Sequence, residues 1–335
     1  MRSRRRRVRP WALGALAALS LALGSVVGAV WSGRAPAEWG AEAILHPFRR
    51  PVTRVPRLPH ETVTFASEGE RFEGWLFRGT EERRRLVVYL HGIADNRQSG
   101  IGVAERLVGR GYDVFAFDGR AHGRSGGDAC TYGYLERHDV GRALDALGAR
   151  EAILIGHSLG ASIALQAAAV DRRVVAVVAA SPFADLPTIV RERAGWVSLP
   201  APYVEAVLGA VGERAGFPPA EASPVALAAG IEAPVLLLHG ASDRKTLPEH
   251  SRRVAAALST PHRLVVLPGV GHDEILGRAE AWREIEALLR TLPSGEGAPP
   301  APQRSAVASI ARSGTAEAVS SVVSPVAESS HLSSR

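Results

Sequence analysis

The chain has 335 residues, of which 46% are hydrophobic and 22% are charged, a composition that suits one large globular domain with extensions. Six of its 40 basic residues are arginines within residues 2–9, and the remaining 34 balance the 34 acidic residues. This near-neutral remainder argues against nucleic-acid binding as the function of the folded part. Cys130 is the single cysteine, which excludes an internal disulfide and a cysteine-based metal cluster.

The first 31 residues have the pattern of a membrane-directed segment. A basic arm at 1–10, predicted to be cytoplasmic, precedes an uncharged run at 11–31, which as a helix would span roughly 32 Å, about the thickness of a bilayer's hydrocarbon core. We predict a single transmembrane anchor, with a cleaved secretory signal as the alternative because imperfect small-residue cleavage sites lie at 27–29 and 35–37. The positive-inside rule puts the rest of the chain outside the cytoplasm, membrane-bound if the anchor is retained and secreted if it is cleaved.

Two further segments flank the predicted globular domain at 61–292. Residues 32–60 contain five prolines, which predicts a stalk that lies over the domain and contains neither helix nor strand. Residues 293–335 are rich in serine, alanine, proline and glycine and have few large apolar side chains, which predicts a disordered tail.

The domain begins with a hairpin pattern and continues with alternating strands and helices. Residues 61–67 and 72–78 alternate in polarity around Glu68-Gly69-Glu70, which predicts two antiparallel edge strands. The alternation that follows predicts a mostly parallel sheet with helices on both faces. Further strands are predicted at 86–90, 113–117, the start of 153–169, 174–180, 234–239 and 263–267, and helices at about 98–110, 135–148, the end of 153–169, 248–258 and 280–292.

The alternation of strands and helices is interrupted at about 183–231. Prolines separate short amphipathic pieces such as 203–211, and a long connection without structure of its own is uncommon in a compact domain unless it is functional. We therefore predict a small lid at the carboxyl edge of the sheet. The alternative is an ordinary long connection.

The stretch 153–169 predicts a nucleophile. It places Gly156-His-Ser-Leu-Gly160 between an apolar strand and a helix of small residues, the context that a nucleophile elbow requires. The turn at the nucleophile is sharp and strained, and Gly156 and Gly160 leave room for it. The pentapeptide alone occurs by chance in many chains, but its flanking elements favour Ser158 as the nucleophile.

A serine nucleophile needs a base and a group that orients the base. Asp243 lies four residues beyond the predicted strand ending at His239, and His272 lies five residues beyond the one ending at Leu267. Both positions are in loops at the carboxyl edge of the sheet, where sites in open α/β sheets collect. We predict His272 as base and Asp243 as acid; Asp273 is the rival acid, disfavoured because it adjoins the histidine and would point away.

Acyl transfer also requires donors for the developing oxyanion. The backbone amides of Leu159, directly after the nucleophile, and of Ile93, in the loop after strand 86–90, are the predicted donors. His91 and His122 are predicted to be structural, the first holding the Ile93 loop and the second shaping the loop at 118–125 that supports the elbow.

These features together resemble the α/β-hydrolase fold superfamily, in particular its monoacylglycerol-lipase-like and serine-aminopeptidase-like bacterial branch. The resemblance covers about residues 60–292 and implies a Ser158, Asp243, His272 triad and an acyl-enzyme mechanism without a metal or cofactor. Ala121 and Ala161 depart from it, since glycine is frequent at both places. The residues that carry it are His91-Gly92, loop 118–125, the pentapeptide 156–160, Asp243 and Gly271-His272.

The predicted function is a membrane-tethered serine hydrolase acting on small-molecule carboxylic esters. The alternatives are an acyltransferase, thioesterase or amidase with the same triad, and a non-catalytic binding module on this fold. The charged lid sequence Arg191-Glu192-Arg193 and the scarcity of aromatics predict a short to medium acyl chain, about C2 to C8, because a longer chain needs more apolar surface to bury.

Overall fold

A computed structural model of the protein describes residues 34–80 and 85–293. The predicted basic arm, the uncharged run at 11–31 and all but the first residue of the predicted tail lie outside this part of the chain. Within the described residues, no helix is both long and apolar enough to cross a membrane.

Eight strands of the described chain form one sheet in the order β1-β2-β4-β3-β5-β6-β7-β8. β1 and β2 form the antiparallel hairpin and β2 also pairs antiparallel with β4, whereas every later pairing is parallel, so the predicted mostly parallel sheet is confirmed. The strands are β1 Glu61–Ser67, β2 Glu70–Phe77, β3 Arg85–Leu90, β4 Tyr112–Phe117, β5 Ala152–His157, β6 Val174–Ala180, β7 Val235–Gly240 and β8 His262–Leu267.

The helices cover both faces of the sheet. Alternate residues of β3 belong to different cores, with Val88 and Leu90 in one buried cluster and Val87 and Tyr89 in the other, which explains why this strand is apolar throughout. The helices are α1 Arg34–Leu45, α2 Ile101–Leu107, α3 Glu136–Ala146, α4 Leu159–Val170, α5 Leu186–Trp196, α6 Ala201–Ala215, α7 Pro224–Leu227, α8 Pro248–Ala257 and α9 Ala279–Thr291, and α3 and α4 contribute to the first cluster and α2 and α9 to the second.

The predicted lid consists largely of helices α5, α6 and α7, which connect β6 to β7. Asp185 caps α5 by accepting a hydrogen bond of 2.7 Å from the Thr188 N–H. Leu186 and Ile189 of α5 and Val207 and Val211 of α6 are buried, so both helices turn an apolar face toward the domain.

The prediction that residues 32–60 contain no helix is wrong, because α1 spans Arg34–Leu45. Proline is tolerated in the first turn of a helix, where the backbone N–H has no partner within the helix, so Pro36 does not prevent helix formation. Ala37, Ala41 and Leu45 recur every four residues and are buried. Their apolar stripe packs α1 onto the domain, which propensity alone does not reveal.

Close approach to α6 fixes the position of α1. A Cβ atom at Gly40 would lie 2.7 Å from Val207 Cγ2, so the helices meet at this glycine. The Tyr203 hydroxyl donates a 2.9 Å hydrogen bond to the Pro36 carbonyl. Beyond the helix the chain stays in contact with the domain, where the Arg49 guanidinium donates to the Ser125 carbonyl at 2.6 Å.

Candidate active site

The turn between β5 and α4 holds Ser158 in a strained conformation. Its φ of 53° and ψ of −116° lie in a region that a non-glycine residue seldom adopts. The two glycines of the motif make this geometry possible, since a Cβ atom at Gly156 would lie 2.2 Å from the Gly160 carbonyl oxygen and one at Gly160 would lie 2.1 Å from the Leu90 carbonyl oxygen. The turn that presents Ser158 therefore requires glycine at both positions.

The structure brings Ser158, His272 and Asp243 into one chain of hydrogen bonds. The Ser158 hydroxyl lies 2.8 Å from His272 Nε2, and His272 Nδ1 lies 2.6 Å from Asp243 Oδ2. The carboxylate accepts the Nδ1 proton, which leaves Nε2 free to accept from the serine. His272 is 7% exposed and Asp243 2% exposed, so both partners are largely shielded from water.

Asp243 is held by several donors in the turn after β7. The backbone N–H groups of Lys245 and Thr246 each donate to its Oδ1 at 2.9 Å, and His239 Nε2 lies 3.3 Å from its Oδ2. Burial by itself raises the pKa of Asp243, but the hydrogen bonds from His239, His272 and Thr246 hold the pKa well below its usual range. The carboxylate stays ionised, as a group that orients a histidine must.

His239 is a site residue that the sequence did not single out. It is completely buried at the end of β7, with Nδ1 2.7 Å from Ser251 Oγ and Nε2 2.8 Å from the Thr246 carbonyl. The sequence contained one signal for this role: a histidine near the end of a predicted buried strand, four residues before Asp243. The ring ties the Asp243 turn to helix α8, which carries Ser251.

Asp273, the rival acid, lies on the surface. Its side chain is 67% exposed and pairs with Lys245. The pKa of Asp273 lies below its usual range: burial works against this shift, and the contact with Lys245 produces it. It does not take part in the chain of hydrogen bonds from Ser158.

Both predicted oxyanion donors belong to residues beside the serine. Ile93, Leu159 and Ser158 line the same pocket. Leu159 is the first residue of α4, and the first N–H groups of a helix have no partner within the helix. A Cβ atom at Gly92 would lie only 3.5 Å from Ser158 Cβ, so the loop that carries Ile93 passes close to Ser158.

His91 and His122 have contacts of a structural kind. His91 Nδ1 donates to the Gly92 carbonyl at 2.7 Å and its Nε2 accepts from the Gly119 N–H at 2.9 Å, which joins the Ile93 loop to loop 118–125. Burial and the nearby His91 lower the pKa of His122 to about 3. His122 is therefore neutral near pH 7 and cannot act there as a general acid.

A buried cluster of charged side chains holds loop 118–125 in place. Arg97 is 2% exposed, and its guanidinium contacts the carboxylates of Glu73 and Asp118, the latter at 2.8 Å. Asp118 also accepts from the backbone N–H groups of Arg97 and Arg124, both at 2.8 Å. No local pattern in the sequence marks this cluster, because Asp118 and Glu73 lie 21 and 24 residues from Arg97.

The pocket above Ser158 is mostly apolar and has a volume of about 390 Å³, within the range of small-molecule sites. Helix α1 and the lid helices α5 and α6 supply much of its wall, with Arg193 the charged residue among the described lining residues. Arg191 instead pairs with Glu205 on the exposed surface, and Glu192 pairs with His250. Arg191 and Glu192 therefore do not reduce the apolar area of the pocket. The chain-length prediction had assumed that all three charged residues do.

One group of side chains in the described part of the chain is close enough to share a metal ion. Donor atoms of His157, His272 and Asp273 lie within 4.8 Å of one another. Both ring nitrogens of His272 already contact Asp243 and Ser158, and His157 Nε2 donates to the His272 carbonyl at 2.9 Å. A metal bound here would have to break these contacts, so the residues do not fit a metal site.

Comparison with known proteins agrees with this fold. Residues 85–200 match the model of the alpha/beta hydrolase fold family. An uncharacterised protein of Mycobacterium tuberculosis is 29% identical over 78% of this chain and 89% of its own length. Epoxide hydrolase B of the same organism is 36% identical over 25% of this chain and 24% of its own length.

Solved structures show the same fold. The esterase Pf2001 of Pyrococcus furiosus has a TM-score of 0.61 at 22% identity, covering 74% of this chain and 98% of that one. A hydrolase of Pseudomonas aeruginosa has a TM-score of 0.54 at 22% identity, covering 68% and 98%. The chain therefore has the α/β-hydrolase fold, and these comparisons support a hydrolase activity.

Proposed function

We propose that the protein is a serine hydrolase of carboxylic esters that acts through an acyl-enzyme. The observation that carries the proposal is the continuous hydrogen-bonded chain from the Ser158 hydroxyl through His272 to Asp243. His272 takes the hydroxyl proton as Ser158 Oγ attacks the ester carbonyl, and the amides of Ile93 and Leu159 stabilise the oxyanion. His272 then gives the proton to the leaving alkoxide, and water hydrolyses the acyl-serine by the same steps.

Labelling of the protein with a fluorophosphonate, with and without competing ester, tests the chemistry. We expect covalent labelling that a hydrolysable ester suppresses. Product analysis with an added alcohol or amine acceptor separates ester hydrolysis from acyl transfer. Turnover of an epoxide without labelling would overturn the proposed acyl-enzyme.

We also propose that the acyl chain of the ester lies in the pocket beneath the lid, and that medium chains are preferred. Each methylene that enters the pocket contributes up to about 0.8 kcal/mol, roughly a fourfold gain in kcat/KM. We expect kcat/KM for p-nitrophenyl esters to rise from C2 to about C8, and to stop rising once the pocket is full.

The residue Ala43 offers a matched test of this prediction, because it lines the pocket at an exposed position. Ala43→Phe narrows the pocket and is expected to shift the optimum toward shorter chains, whereas Ala43→Ser keeps the volume and the optimum. A profile that peaks at acetate in both variants and the parent protein would show that the acyl chain binds elsewhere.

We further propose that the uncharged run at 11–31 tethers the domain to the outer face of the cell membrane, and the basic residues before it and its length support this. A reporter that is active only outside the cytoplasm, fused after residue 60, is expected to be active. The full-length protein is expected to resist extraction by alkaline carbonate. A shortened protein in the soluble fraction would favour the cleaved signal, and an inactive reporter would contradict the orientation.

A further inference from the structure

The connection between α5 and α6 exposes a group of large apolar side chains. Trp196, Val197 and Leu199 are 54%, 68% and 43% exposed. We call these three residues the lid tip. Residues 194–204 around them contain no charged side chain. Exposed apolar residues that adjoin one another in this way mark a surface that contacts something other than water.

The lid tip also forms part of the rim of the pocket. Val197 and Leu199 line the cavity that contains Ser158, although both are substantially exposed to solvent. A residue that is both exposed and part of the cavity wall lies at the opening. A surface that covers the lid tip therefore lies next to the entrance of the pocket that contains Ser158.

The chain reaches the domain close to this tip. Helix α1 begins at Arg34, so at most roughly 11 Å of chain separates it from the end of the uncharged run at residue 31. In the first turn of α1 the Pro36 carbonyl accepts the hydrogen bond from Tyr203, which is four residues beyond Leu199. A membrane span ending at residue 31 would hold the lid tip near the membrane surface.

We infer that the lid tip inserts into the interface of the lipid bilayer, and that the pocket takes its ester substrate, a membrane lipid ester, directly from the bilayer. The inference rests on the proposed ester hydrolysis and the proposed tether. Tryptophan is favoured at membrane interfaces because its apolar ring and polar N–H suit the boundary between acyl chains and headgroups. An acyl chain that passes from the bilayer over Val197 and Leu199 to Ser158 never crosses bulk water.

The depth of the lid tip can be measured with the full-length protein in phosphatidylcholine vesicles. Ser198→Cys puts an isosteric thiol within the tip, and Ser259→Cys puts one at an exposed position before β8, at the opposite edge of the sheet. Cys130 is buried, so an environment-sensitive fluorophore reacts at the new thiol. We expect lipid-borne quenchers to quench the label at position 198 but not at position 259.

Activity measurements test whether the substrate comes from the bilayer, independently of how deep the lid tip lies. Trp196→Asp changes an exposed residue of the tip, and Val170→Asp makes the same kind of change at the far end of α4, 47% exposed. We expect Trp196→Asp to lower turnover of a long-chain ester in vesicles roughly tenfold, while hydrolysis of dissolved p-nitrophenyl butyrate stays within about twofold. Val170→Asp and Trp196→Phe are expected to keep both activities.

Three results would overturn the inference. The first is an unquenched label at position 198 in a protein that resists carbonate extraction, and the second is vesicle activity that Trp196→Asp leaves unchanged. The third is an equal loss of both activities in Trp196→Asp, which would mean that the tip supports the fold. Failure of the proposed function is distinguishable, because the wild-type protein would then lack fluorophosphonate labelling or would be released by carbonate.

Discussion

Replacement of Ser158 by alanine is expected to abolish fluorophosphonate labelling and to lower ester turnover by about 10³- to 10⁶-fold, the range of nucleophile knockouts in triad enzymes. The substitution removes the Oγ atom that lies 2.8 Å from His272 Nε2 and leaves the backbone turn intact. His272→Ala is expected to have a similar effect. Asp243→Asn is expected to cost somewhat less, because the ring keeps part of its orientation.

The control for this prediction is Ser242→Ala, an exposed serine next to Asp243. It makes the same chemical change near the site and is expected to keep both labelling and turnover. Thermal unfolding of all four variants checks that the fold is retained. Labelling of Ser158→Ala at the wild-type level would disprove the proposed nucleophile.

The second large effect concerns stability. Arg97→Ala is expected to lower the free energy of unfolding by about 3–5 kcal/mol, because it removes the cation that pairs with the buried Asp118 carboxylate and leaves Glu73 only the more exposed Arg71 and Arg124. For a domain of this size, that corresponds to a fall in Tm of roughly 6 to 20 °C. Loss of the cluster should also loosen loop 118–125, which lies beside the elbow.

An exposed arginine gives the matched comparison. Arg252 pairs with Glu249 at 3.2 Å, and both side chains are more than half exposed. Exposed pairs contribute only about 0–1 kcal/mol, so Arg252→Ala is expected to change Tm very little. If both variants unfold at nearly the wild-type temperature, the buried cluster does not stabilise the protein as its geometry indicates.

The residues of the candidate site that could be predicted are those marked by a short pattern of neighbouring residues in the sequence. Ser158 is the predicted nucleophile because a strained turn between a buried strand and a helix needs glycine on both sides, and those residues are neighbours in the sequence. Asp243 and His272 followed from their order and from their positions just beyond predicted strands, where the ends of parallel strands converge. The strands themselves were found within a few residues, since buried parallel strands require continuous apolar runs.

The remaining parts depend on contacts between residues far apart in the chain. Helix α1 was missed because the five prolines of residues 32–60 suggested an irregular stalk, and its stabilising contact joins Pro36 to Tyr203, 167 residues away. The pairing of Arg97 with Asp118 and Glu73, 21 and 24 residues away, likewise leaves no periodic pattern in the sequence. Such pairs exist only when the chain is folded.

The amino-acid sequence by itself determined the class of fold and indicated Ser158 as the candidate nucleophile, because both depend on short-range backbone geometry and on the apolar pattern of single elements. Only the tertiary structure decided what surrounds the nucleophile. Packing turned Arg191 and Glu192 away from the pocket, brought α1 into its wall and left Trp196 exposed beside its opening. Which side of a lid helix faces inward depends on the apolar surface it meets, and that surface forms only when distant segments pack together.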